Sequence, residues 1–243
     1  MIFGAILAGG SGTRMGSGDT PKQFLEIGGK AILLHTIENM LGYKGFDRLL
    51  VLCPEEWTGR TEELIRAEFG SGTGVEVLAG GPTRTETLMR AVERVEAETR
   101  DEESILVTHD GVRPFVTAGM IRESVETAKK LGASVVAVPA VDTVLVSGSG
   151  DRVDSVPDRK TLFNAQTPQT FSVSKLRKLY EELSPEDRER LTDGTSIFIF
   201  RNEPVGIVSG DSSNIKITYP ADLIAAETIL KARTASGAGK EES

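Results

Sequence analysis

Ile2-Phe3-Gly4-Ala5-Ile6-Leu7-Ala8-Gly9-Gly10-Ser11-Gly12-Thr13-Arg14-Met15-Gly16 decides the fold. A short apolar run breaks into glycines, so the run reads as a first core strand and the glycines as the loop that follows it. The same grammar recurs along the chain. Strands are expected at Phe3–Ala8, Arg48–Cys53, Val75–Ala79, Ser104–Thr108, Ser134–Pro139 and Val205–Ser209. Helical patterns fall between them, near Ile32–Leu41, Glu55–Phe69, Thr83–Glu98, Ala118–Leu131 and Val173–Leu183. Runs such as Leu49-Leu50-Val51-Leu52 and Val135-Val136-Ala137-Val138 are continuously apolar rather than alternating. That is the pattern of a parallel sheet covered on both faces. Alternating β and α units then imply right-handed crossovers, with a ligand site at the carboxyl ends of the strands.

Around this frame the composition narrows the function. The 243 residues suffice for one α/β core without staples. A net charge of −8 and an aromatic content of 5% argue against a nucleic-acid or anionic-membrane partner, either of which wants a basic face. The lone Cys53 cannot form an internal disulfide, and with only His35 and His109 a Cys- or His-rich metal centre is not expected. No apolar run approaches the roughly 20 residues that span a bilayer. The first residues lack a basic leader and read as a strand rather than a signal peptide, so a cytoplasmic location is expected. Residues 1–231 are read as a single domain. Residues 140–167, without helical period and with β-like pieces at Thr143–Ser147 and Arg152–Val156, are read as a projecting β-hairpin arm. The small, polar stretch 232–243 is read as a disordered tail.

Cations gather at motifs on this otherwise acidic chain. Glycines after a first strand let backbone N–H groups approach an anion closely. Arg14 and, eight residues on, Lys22 in Pro21-Lys22-Gln23 flank that loop and could clamp a triphosphate; a tight turn with two solvated cations is the plainer alternative. The loop is not a Walker A motif, since Gly16 is followed by Ser17-Gly18, and Met15 spoils a dinucleotide fingerprint. Asp110, in His109-Asp110-Gly111-Val112-Arg113-Pro114, follows an apolar strand, where a Mg²⁺ ligand would sit or a turn cap would serve as well. His109 has no nucleophile to activate and is read as structural. Gly80-Gly81-Pro82-Thr83-Arg84-Thr85-Glu86-Thr87 is a second glycine turn in which Thr83 and Glu86 can close a capping box, compatible with a contact to a base or ribose. Lys216, in Asn214-Ile215-Lys216-Ile217-Thr218 before a helix opened by Pro220, taken alone is an edge-strand lysine.

In their order and spacing these motifs, with Asp142-Thr143, Thr167-Pro168-Gln169 and Tyr219-Pro220…Asp222-Leu223, resemble the cytidylyltransferases that join CTP to a polyol phosphate. The resemblance runs from residue 1 to about 231. It implies a Rossmann-like nucleotidyltransferase, a three-layer α/β/α fold whose arm serves dimerisation and completes the neighbouring subunit's acceptor site. Carried over position by position, it makes Arg14, Lys22 and Lys216 the catalytic cations on the CTP phosphates. It puts Leu7, Ala8, Gly9, Gly10, Gly12, Thr13, Gly81, Thr87 and Asp110 around CTP, with Asp110 also the Mg²⁺ ligand. Arg113, Thr143, Arg159, Thr167 and Thr192 would receive the acceptor.

For the acceptor, the resemblance offers two substrates. Methylerythritol-phosphate enzymes usually carry His-Asp-Ala-Ala-Arg-Pro and Thr-Asp-Asp/Glu-Ala-Ser, against His109-Asp110-Gly111-Val112-Arg113-Pro114 and Thr192-Asp193-Gly194-Thr195-Ser196 here, and Pro82 replaces a common acidic residue. Gly80-Gly81…Arg84-Thr85-Glu86-Thr87, Val107-Thr108-His109-Asp110 with Arg113-Pro114-Phe115, and Leu183-Ser184-Pro185-Glu186 ahead of Leu191-Thr192-Asp193 are similar to the ribitol-phosphate enzymes, while Gly194-Thr195 departs from both patterns. D-Ribitol 5-phosphate is therefore the expected acceptor and 2-C-methyl-D-erythritol 4-phosphate the alternative. Two other classes compete: a non-catalytic nucleotide or sugar-phosphate sensor on the same fold, and an NAD-dependent oxidoreductase.

Overall fold

The computed structural model describes residues 1–10, 20–99 and 103–235. The apolar runs become strands β1 (Ile2–Leu7), β4 (Arg48–Cys53), β5 (Val75–Ala79), β6 (Ile105–Asp110), β7 (Ala133–Pro139) and β9 (Gly206–Ser209). β8 (Phe163–Ser172) is a further strand, and β2 (Glu26–Ile27) pairs β3 (Lys30–Ala31) in a small separate ribbon. The main sheet runs β5-β4-β1-β6-β8-β7-β9. Every neighbouring pair is parallel except those made by β8, which is antiparallel to both β6 and β7.

Helices α1 (Ile32–Gly42), α2 (Thr58–Phe69), α3 (Arg84–Glu98), α4 (Ala118–Leu131), α5 (Val173–Glu181), α6 (Pro185–Glu189), α7 (Gly194–Phe200) and α8 (Pro220–Ala235) complete the chain. Period-two alternation sends successive strand residues to opposite layers. Phe3, Ala5, Leu7, Leu50, Leu52 and Leu106 pack with Leu88 and Val92 of α3, Leu176 of α5 and Phe198 of α7. Ile6, Leu49, Val51 and Val107 pack on the other side with Ile37 of α1, Ile65 of α2 and Val125 of α4. This is the expected α/β/α sandwich. A third cluster, Ile27, Ile32, Val112, Phe115, Ile217 and Ala226, seats α8 against the segments that surround the cleft described below.

Three readings change. Residues 163–167, expected in the arm, are the first half of β8; the arm spans 140–162, closed at its base where the Ala140 N–H donates to the Leu162 carbonyl at 2.9 Å. Its hairpin is held by a single antiparallel bridge, Val146 to Ser155, instead of a ladder between Thr143–Ser147 and Arg152–Val156. α8 continues to Ala235, into the stretch expected to be a tail; residues 236–243 lie outside the described ones. The helix expected from Glu55 opens as a 3-10 turn, Glu55–Trp57, before α2.

Candidate active site

The carboxyl ends of β1, β4 and β6 meet the second glycine turn around a cleft of about 330 Å³. Backbone bonds build its rim. The Ala8 N–H donates to Leu52 O at 2.7 Å, Gly80 N–H to Cys53 O at 2.7 Å, and Gly111 N–H to Leu7 O at 3.0 Å. Each bond ties the loop after one strand to the neighbouring strand. The cleft is lined by Leu7, Ala8, Gly9 and Gly10 from the first loop, by Lys22 and Gln23, by Gly81, Pro82, Thr83, Arg84 and Thr87, and by Asp110, Val112 and Lys216.

Most of the expected nucleotide residues are thus brought together, while Gly12, Thr13 and Arg14 lie outside the described residues. Lys22 opens a short 3-10 turn, Lys22–Phe24, that Gln23 anchors by donating from Nε2 to Ala8 O at 2.7 Å. Its buried side chain lies against Gly10, where a Cβ would stand 3.7 Å from Lys22 Cε. Gly81 is required on steric grounds, because a Cβ there would come within 2.5 Å of Glu86 Cβ. The Thr87 hydroxyl accepts from Gly81 N–H at 3.0 Å and donates to Thr83 O at 2.8 Å, so its first task is to shape the turn. Thr83 and Glu86 form the expected capping box at the head of α3.

Asp110 ends β6 beside Leu7 of β1 and is buried. Arg84 Nη2 lies 2.9 Å from Oδ1, Lys216 Nζ 2.9 Å from Oδ2 and Arg113 Nε 3.5 Å from Oδ2. Burial opposes the carboxylate charge, but the Arg84, Lys216 and Arg113 cations overcome it and hold Asp110 well below the usual carboxylate range. Lys216 sits on an irregular segment fixed by the Ile217 N–H donating to Val112 O at 3.0 Å. Among the described residues no three His, Cys, Asp or Glu side chains gather as a metal cage. A single carboxylate facing a cation-rich cleft does fit Mg²⁺, which takes one or two carboxylates and fills its shell with phosphate oxygens and water.

The acceptor residues are placed less uniformly. Arg113 borders the site, its Nη1 donating to Asn214 O at 2.8 Å as well as facing Asp110. The Thr167 hydroxyl is committed inward: it accepts from the Asp110 N–H at 3.1 Å and lies 2.9 Å from His109 Nδ1. His109 is fully buried, which pushes its imidazole down to about 4, and its Nε2 is 2.9 Å from Arg113 O. A neutral ring that donates from Nε2 therefore accepts from Thr167 at Nδ1. Thr143 and Arg159 lie on the arm, Arg159 donating to Val141 O at 3.0 Å, and Thr192 pairs with Ser196 at 3.0 Å; within one chain none of the three lines the cleft.

Arg84 joins the cleft although no motif of the sequence assigns it a role. Its position is the signal: a cation at the first turn of a helix opposes the macrodipole and calls for a nearby carboxylate, here Asp110.

A family model described as 2-C-methyl-D-erythritol 4-phosphate cytidylyltransferase (IspD) matches residues 2–232. The fold is similar to the 4-diphosphocytidyl-2C-methyl-D-erythritol synthase of Anaerococcus prevotii, with a TM-score of 0.77 and 28% identity over 95% of this chain and 96% of that one. The 2-C-methyl-D-erythritol 4-phosphate cytidylyltransferase of Thermus thermophilus gives 0.71 and 27%, covering 95% and 100%. That of Francisella tularensis gives 0.75 and 26%, covering 93% and 98%.

Proposed function

The chain belongs to the 2-C-methyl-D-erythritol 4-phosphate cytidylyltransferase (IspD) family, and on that footing we propose that it transfers the cytidylyl group of CTP to 2-C-methyl-D-erythritol 4-phosphate, releasing pyrophosphate. It is a CTP-dependent nucleotidyltransferase; the acceptor is the proposed part. The observation that carries the reading is the convergence of Lys22, Arg84 and Lys216 on one cleft whose only carboxylate, among the described residues, is Asp110.

This acceptor replaces ribitol 5-phosphate, because the family and the neighbouring structures carry the methylerythritol name. Two departures from the methylerythritol motifs, Gly111 and Gly194, also have local explanations. A Cβ at Gly111 would lie 3.0 Å from Ala8 Cβ, and one at Gly194 would lie 2.6 Å from Phe171 Cζ. Both answer to packing.

The chemistry brings two anions together, and the acceptor phosphate is itself the nucleophile. No general base is needed, which agrees with a buried, neutral His109 and an ion-paired Asp110. Lys22 and Lys216, with Arg14 from the undescribed loop, draw charge from the triphosphate and steady the α-phosphorus during in-line attack. Asp110 would hold Mg²⁺, which when bound supplies charge neutralisation on the phosphates. A cytoplasmic location goes with this reading, and among the described residues no helix is long and apolar enough to cross a membrane.

The proposal extends to a homodimer joined by the arm. Val141, Val144, Leu145, Val146, Val153 and Val156 are all exposed there, an apolar surface that a second copy would cover. Thr143 and Arg159 would then face the partner's acceptor.

Pyrophosphate release with CTP and Mg²⁺ tests the acceptor. The expected kcat/KM is about 100-fold higher for methylerythritol 4-phosphate than for ribitol 5-phosphate, since a site built for particular hydroxyls discriminates strongly. Preference for ribitol 5-phosphate overturns the assignment, and no release with either leaves a sensor.

A further inference from the structure

We propose that Arg84 is a positioning residue that stands in for the divalent cation: it neutralises Asp110 in the substrate-free cleft and yields Oδ1 when metal and nucleotide bind. The inference rests on the proposed nucleotidyl transfer at this same site.

A buried carboxylate stays charged only if it is paired. Asp110 achieves this with three cations on two oxygens, so an incoming ion meets like charge at either oxygen. One cation must give way. Arg113 is held elsewhere too, with Nη1 on Asn214 O and its side chain only 11% exposed. Lys216 shares Oδ2 with Arg113, and the Ile217–Val112 backbone bond fixes its segment. Arg84 has Oδ1 to itself, and among the described residues its guanidinium has no other side-chain partner.

Arg84 is also the least costly to move. It occupies the first position of α3, where the helix dipole repels a cation, so its guanidinium is held by the Asp110 carboxylate and not by the helix, and can follow another anion. Release would not unravel the helix. The capping box holds the backbone independently, with Thr83 N–H on Glu86 Oε2 at 3.0 Å and Glu86 N–H on Thr83 Oγ1 at 3.1 Å. Once free, a guanidinium 29% exposed on the cleft wall has its donors available to phosphate oxygens.

The test is Mn²⁺ binding to the nucleotide-free enzyme, read from the paramagnetic resonance signal of the unbound ion, with thermal unfolding as the check on folding. Arg84→Met removes the competing charge and is expected to bind Mn²⁺ about tenfold more tightly than the wild type. Arg84→Lys, which keeps a cation, should stay near the wild type, and adding Asp110→Asn to Arg84→Met should abolish the gain. If Arg84→Met does not fold, Arg84→Gln carries the same expectation. Unchanged or weaker affinity in the neutral variants, or no measurable binding in any, overturns the proposal. The measurement needs no turnover: such a result alongside normal pyrophosphate release refutes the exchange alone, whereas absent release refutes the transfer reading itself.

Discussion

At the scale of single residues, the site rests on a neutral histidine. The unfolded chain takes up a proton at His109 near pH 6.5, whereas the native ring resists until about 4. Between those values the unfolded state binds more protons, so native stability is complete above pH 6.5 and drains away as the pH falls toward 4. The span corresponds to roughly 3 kcal/mol. Burial lowers His35 as well, and it adds to the same loss. Urea unfolding at pH 7 and pH 4.5 should show the decline, and His109→Gln should start lower but run flatter; an equally steep profile in that variant would contradict the assignment. Asp110 and Lys22 were legible in the sequence because a strand-end aspartate and a cation flanking the glycine loop stand out on an acidic chain, whereas Lys216, taken alone an edge-strand lysine, was legible only together with the other motifs. Thr167 was legible only as a motif member. Its bonding partners His109 and Asp110 lie more than fifty positions away, and no local pattern shows that its hydroxyl is spent on them.

At the scale of elements, the head of α3 does double duty, as the base of the glycine turn that lines the cleft and as a capped helix start. Thr83→Ala should cost about 1 kcal/mol of stability, the usual worth of such a cap. Calorimetry should record a fall of about 2–4 °C in Tm, and the KM for CTP should rise because Gly81 and Thr87 share the turn. No change in either quantity would mean the capping box is incidental. The parallel strands were readable because their apolar runs are continuous. β8 was not: Phe163-Asn164-Ala165-Gln166-Thr167-Pro168-Gln169-Thr170-Phe171-Ser172 is polar and has a proline at its centre, which argues against an inner strand. Two features reconcile it with burial. The β7–β8 register shifts between Val135 and Ala137, so Pro168 falls where no ladder bond is required. Its polar side chains find partners outside the sheet, Gln169 on Asp193 at the head of α7 at 2.6 Å, Thr170 on Ser124 of α4 at 2.6 Å and Gln166 on Asp211 O at 2.9 Å. Such pairings are invisible until the neighbours are known.

At the scale of the whole molecule, the sandwich follows from strand composition, while the proposed assembly would depend on the arm. Replacing Val144 and Leu145 together by Asp should yield a monomer in sedimentation, with kcat/KM for the acceptor down about 100-fold and CTP binding little altered. A monomeric wild type, or equal losses for both substrates, would refute arm-mediated assembly. The hairpin and the floor of the cleft are not separate parts. β8 begins where the arm ends, and four residues further along the same strand Thr167 grips the backbone of Asp110. At about 3.3 Å per residue, that is a rod of only about 13 Å. A shift at the hairpin's root therefore bears directly on the backbone of Asp110, so a partner settling on the arm would also adjust the carboxylate proposed to hold the metal.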